Sequence, residues 1–70
     1  MRASYVEVRN VLKNIYLPLT KEEIIQQAIK RGASYQVIED LKNIPDMEYT
    51  TSSDIVKGLA VNDFMSKFNL

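Results

Sequence analysis

The chemistry open to this chain is carried by carboxylates, hydroxyls and amides, because its 70 residues include no cysteine and no histidine. Glu22/Glu23 and Glu39/Asp40 are adjacent acidic pairs of the kind that could divide general acid and general base roles. Neighbours on a helix diverge by about 100°, however, so neither pair converges on one atom. Asp46, Glu48 and Asp54 could offer oxygens to a hard cation, yet the spacing and the glycine of a calcium loop are missing. Ser52 and Ser53 have no imidazole to activate them, and helix capping explains Ser52 or its neighbour Thr51 without a nucleophile. These residues predict a protein that is not an enzyme, with no catalytic residue, cofactor, metal or small-molecule substrate, and with no room for a sizeable pocket.

Binding chemistry is the next class. Ala28, Gly32 and Ile38 stand at the spacing of a helix-turn-helix, which would present Tyr35, Gln36 and Asn43 to a nucleic acid with Lys30, Arg31 and Lys42 as a small basic patch. Glu39 and Asp40 would then face the phosphates, where like charge repels, and Gln27 and Arg31 are polar where the motif prefers apolar residues. The competing reading is an ordinary helical hairpin with solvated charges at its ends and the Tyr35 ring partly buried beside Gly32. Nine basic and nine acidic residues give a formal charge of zero, so no global field draws the chain to nucleic acid or anionic lipid. On the hairpin reading the outer face of the third helix tolerates Glu39→Lys with Asp40→Lys. On the nucleic-acid reading the same pair strengthens DNA binding.

The elements that position these residues are punctuated by local signals. Thr20-Lys21-Glu22-Glu23 is a capping box, Gly32 offers a left-handed stop after Lys30 and Arg31, and Ser34 can cap the next helix two residues later. Ser4-Tyr5-Val6-Glu7 is a second capping box. Behind it Tyr5, Val8, Leu12 and Ile15, with Val11 and Tyr16, share one side of a helix ending near Asn14 to Tyr16, while Val6 lies opposite. Helix two buries Ile24, Ile25, Ala28 and Ile29, and helix three Val37, Ile38 and Leu41. Ile44-Pro45-Asp46 closes helix three, Pro45 to Thr50 is a turn and an extended connection anchored by Tyr49, and Thr51 to Asp54 opens a helix that buries Ile55, Val56 and Leu59.

The C-terminus departs from this pattern. In an unbroken fourth helix Val61, Phe64, Met65 and Phe68 would point roughly opposite to Ile55, Val56 and Leu59. The expectation is a break between Gly58 and Asn62, with Asn62 capping a short fifth helix and the tail folding back over the core. The alternative is that the stripe is a binding face for a partner or a second copy of the chain.

Pro18-Leu19-Thr20-Lys21-Glu22-Glu23, Gly32-Ala33-Ser34, Leu41, Ile44-Pro45-Asp46 with Tyr49, and Asp54-Ile55 together resemble the bacterial domain of unknown function number 2795 over about Leu17 to Leu59. The resemblance implies a small helical domain and transfers no catalytic residue. It leaves helix one (residues 1–16) and the tail (residues 61–70) outside the matched region.

The sequence thus predicts one all-α domain over residues 1–70, a bundle of four or five short helices. The expected function is a non-enzymatic protein–protein interaction module, an adaptor, subunit or inhibitor-like partner, with Val61, Phe64, Met65 and Phe68 as the partner-binding candidates. The longest apolar run is three residues and no signal peptide or membrane span is read, so the expected location is the cytoplasm.

Overall fold

The computed structural model describes residues 5–68, with the side chains of residues 6–61. These residues form four helices, α1 (Tyr5–Val11), α2 (Lys21–Lys30), α3 (Tyr35–Lys42) and α4 (Ser52–Phe68), and two short strands, β1 (Leu19–Thr20) between α1 and α2 and β2 (Glu48–Tyr49) between α3 and α4. The domain is mostly helical but not purely so. The segments leading into α2 and α4 are both extended, and they pair antiparallel with Leu19 opposite Tyr49 and Thr20 opposite Glu48.

Local caps set the helix boundaries. The Thr20 hydroxyl accepts from the Glu23 amide at 3.2 Å, and the Glu23 carboxylate accepts from the Thr20 amide at 2.9 Å, which completes the capping box. At the other end of α2, Gly32 sits at φ +75°. The Ala33 amide bonds back to the Ala28 carbonyl and the Gly32 amide to the Ile29 carbonyl, both at 3.0 Å, the two bonds of a Schellman stop. Ser34 then caps α3 by accepting from the Val37 amide at 3.3 Å. A Cβ at Gly32 would meet nothing within 4 Å, so only its dihedral resists substitution. Gly32→Val is expected to lower stability by at least about 1 kcal/mol, because a β-branched residue is strained at positive φ. Gly32→Asn is expected to lose less, since asparagine tolerates that conformation. Chemical denaturation of the two variants side by side checks the ranking.

Among the described residues the core is a single cluster of Val8 from α1 and Leu12 just after it, Ile24, Ile25 and Ala28 from α2, Val37 and Leu41 from α3, Ile44 and Tyr49 from the connection, and Ile55 and Leu59 from α4. Tyr49, in β2, is 1% exposed and its hydroxyl donates to the Pro45 carbonyl, so it anchors the connection as expected. Four apolar residues expected inside lie outside. Ile29 stands about 140° round α2 from the fully buried Ile24, at the edge of the buried stripe. Val56 is 42% exposed because it lines an open cleft between α1 and α4. The α-helical part of α1 ends at Val11, before the expected Asn14 to Tyr16, and Asn14 takes up a left-handed φ of 61°. Helical spacing therefore no longer applies to Tyr16, which is 91% exposed. Tyr35 is also exposed, not tucked beside Gly32.

The largest departure is α4, which runs unbroken from Ser52 to Phe68. Gly58 does not break it. A Cβ there would lie 3.3 Å from Ile44 Cβ, 3.3 Å from Pro45 Cδ and 3.4 Å from the Tyr49 hydroxyl. The glycine lets the helix lie flat against the connection, and the tight approach outweighs its poor helix propensity. No fifth helix starts at Asn62. Val61, on the side away from Ile55 and Leu59, is 54% exposed, while the side chains of Phe64, Met65 and Phe68 lie outside the described residues, as does the Ser4 cap. Among the described residues no helix is long and apolar enough to cross a membrane.

Candidate functional site

The acidic residues that could have carried chemistry are separated by the fold. Glu23 is held in the α2 cap. Glu39 pairs with Lys42 at 3.1 Å on the outer face of α3, whereas its neighbour Asp40 is turned inward and is only 6% exposed. Asp40 was expected on the exposed face. Its position places it about 60° from Val37 and 100° from Leu41, inside the buried arc of α3. Among the described residues no group of three or more acidic side chains converges on a point that could hold a metal ion.

Asp54 belongs to the cap of α4. Its amide donates to the Thr51 hydroxyl at 3.2 Å, and its carboxylate accepts from the Thr50 hydroxyl at 3.0 Å. The hydrogen bonds from Thr50 and then Thr51 hold its carboxyl below the usual aspartate range, with Lys57 adding a smaller electrostatic pull in the same direction. A group whose pKa falls on folding contributes stability that is present above its unfolded value and lost as pH drops through its folded value. The stability difference between the wild-type chain and Asp54→Asn is therefore expected to be constant near neutrality and to shrink only below about pH 4. Thermal melts of both proteins across the acid range check it; a difference that is unchanged at the lowest pH would mean the carboxylate is not what holds this cap.

The nucleic-acid candidates divide in the same way. Arg31 reaches across to α1, where its guanidinium donates to the Val11 carbonyl at 2.9 Å and to the Lys13 carbonyl. Lys42 faces Glu39, and the Asn43 side chain donates to the Glu39 carbonyl at 2.9 Å, finishing the C-terminus of α3. Gln36 is half-buried, its Oε1 within the protein and without a hydrogen-bond partner. Lys30 and Tyr35 are exposed. Ser34 is also committed, since its hydroxyl donates to the Glu7 carboxylate and so ties the start of α3 to α1.

Sequence reasoning did not foresee a cleft of about 540 Å³ between the end of α1 and the start of α4. Val8 and Leu12 form its floor, Ile15 and Val56 its apolar walls. Arg9, Lys13 and Lys57 stand at its rim, with Ser52 and Ser53 beside them, and among the described residues no carboxylate lines it. The volume falls within the range of ligand sites, contrary to the expectation of no sizeable pocket. A signal was present in the sequence: Arg9 and Lys13 each follow a buried residue of the α1 stripe, one turn apart. A smaller hollow of about 250 Å³ lies on the other side of α4, between Met47, Tyr49, Gly58 and Val61.

The family model for a protein of unknown function, DUF2795, matches residues 3–56. The chain belongs to the DUF2795 family. The matched span is wider at its start than the motifs between Leu17 and Leu59 suggested, so α1 is part of the DUF2795 domain and not an addition to it. The floor and apolar walls of the cleft, along with Arg9 and Lys13, lie inside the span, while Val61 and the rest of the tail lie beyond it. No curated protein and no solved structure matches the chain.

Proposed function

We propose that this DUF2795 chain is a small, non-enzymatic, cytoplasmic protein–protein interaction module, an adaptor, subunit or inhibitor-like partner, that docks through the C-terminal half of α4. One observation carries the reading. α4 is unbroken, so the helix that buries Ile55 and Leu59 carries Val61 onto its opposite side, where it is half-exposed. Phe64, Met65 and Phe68 follow Val61 in the sequence at i+3, i+4 and i+7, and large apolar residues at that spacing are the composition of an interface. The nucleic-acid reading is weaker, because Arg31, Lys42 and Asn43 already make intramolecular contacts.

The test compares the full chain with one truncated after Ala60, by thermal melting, sedimentation and, after nuclease treatment, partner capture. The expected result is a truncated chain that still unfolds cooperatively but no longer self-associates or retains a partner. Loss of cooperative unfolding would assign the stripe to the core instead. Submicromolar binding of DNA by the full chain at physiological salt would replace this reading with the nucleic-acid one.

A further inference from the structure

We infer that the α1–α4 cleft is a docking groove for an acidic amphipathic helix supplied by a partner protein. The inference rests on the protein-interaction reading but assigns a second surface, separate from the Val61 stripe, and the chemistry of what fills it. Three features of the groove select this occupant.

The first is shape. Val8 and Leu12, one turn apart, and Ile15, just past the end of α1, line one side of the groove, and Val56 faces them from α4. A helix laid into such a groove anchors itself through apolar side chains at i, i+3 or i+4, and i+7. The second is charge. In a chain of zero net charge, all three ionisable residues that line this groove among the described residues are cationic: Arg9, Lys13 and Lys57. The three are exposed, so they meet a partner at the rim, where complementary charge sets orientation and rejects the wrong partner. The positive end of the 17-residue α4 lies at the same mouth, at Ser52 and Ser53. The third separates a peptide from a small anionic amphiphile. The groove opens to solvent and its cations are exposed at the edge, whereas a small-molecule site fixes its ligand with convergent polar groups inside the cavity.

The test presents the full chain to an unbiased display library of helix-favouring peptides and maps the enriched sequences by amide chemical shifts. Enrichment of Asp and Glu flanking aliphatic residues at helical spacing is expected, with shifts centred on Val8, Leu12, Ile15 and Val56. Lys13→Glu combined with Lys57→Glu alters only exposed side chains and is expected to lower affinity by about tenfold or more. Exchanging the acidic residues of the peptide for lysine is expected to restore binding to that variant, a rescue that misfolding could not produce. Absence of enrichment, enrichment without acidic bias, or failure of the charge exchange would overturn the assignment. So would decanoate moving the same amides while no peptide does, which would make the groove a site for anionic amphiphiles. Peptides that bind only around Val61 would remove the groove and leave the interaction reading intact, whereas loss of the truncation phenotype alone would remove the α4 stripe and leave the groove.

Discussion

Tyr49→Ala is expected to remove about 3 to 5 kcal/mol of stability, most or all of what a 70-residue domain without disulfide or metal possesses. Three contacts converge on this ring. It is almost fully buried, its strand pairs with β1 through Leu19, and its hydroxyl lies where a side chain at position 58 would otherwise stand. Removing the ring empties a volume that Ile44, Pro45 and α4 surround, and a helix already drawn close over a glycine has little further to collapse. Tyr49→Phe separates packing from hydrogen bonding. It keeps the ring and leaves the Pro45 carbonyl without its donor, a loss of about 1 kcal/mol. Burial, then the charges of Asp46 and Asp54, push the Tyr49 hydroxyl above its ordinary pKa, so this contribution persists at neutral pH and fades only as pH rises through the tyrosine range. Urea denaturation orders the three proteins as wild type, Phe, Ala. An alanine variant that unfolds near the wild-type midpoint would show that the connection is not anchored here.

The second large effect separates two neighbours on α3. Glu39→Lys gives up a pair with Lys42 at the surface and is expected to change stability by less than about 0.5 kcal/mol. Asp40→Lys places a longer side chain of opposite charge at a position 6% exposed, and is expected to cost about 3 kcal/mol. The double reversal that sequence reasoning treats as harmless is therefore expected to unfold much of the population. Circular dichroism melts of the two single variants decide it; equal melting temperatures would mean that Asp40 is as accessible as Glu39. A test of added positive charge on nucleic-acid affinity should accordingly use Glu39→Lys alone.

These cases mark which features local sequence could reveal. The Thr20 cap, the Gly32 stop, the Ser34 cap and the Thr51 to Asp54 cap all depend on residues within five positions of one another, and each stands where it was expected. The strand pair was missed because Leu19 and Tyr49 meet only after two helices have formed between them. Gly58 was misread because a glycine inside a helix is ambiguous by itself: it weakens the helix alone, yet permits a close approach once Ile44 and Pro45 are placed against it. Val56 and Ile29 have the spacing of core residues, but spacing fixes an angle on a helix and not the width of the surface that covers it. The cleft belongs to the same class, since it exists only where α1 and α4 leave space between them.

The bond from Arg31 to the Val11 carbonyl spans 20 residues and makes the end of one helix depend on the end of another. A seven-residue helix has almost no stability alone, since nucleating a helix costs more than so few turns return. The N-terminal segment is thus expected to dock late, onto a hairpin of α2 and α3 that has already turned at Gly32, and to detach first when the native state fluctuates. Amides of Leu12 and Ile15 are expected to exchange with solvent deuterium faster than those of α2, through partial openings that leave the rest of the domain folded; equal protection would show a single cooperative unit. The floor of the groove would then be a detachable part, and whatever fills it would tighten the whole fold by holding that part in place.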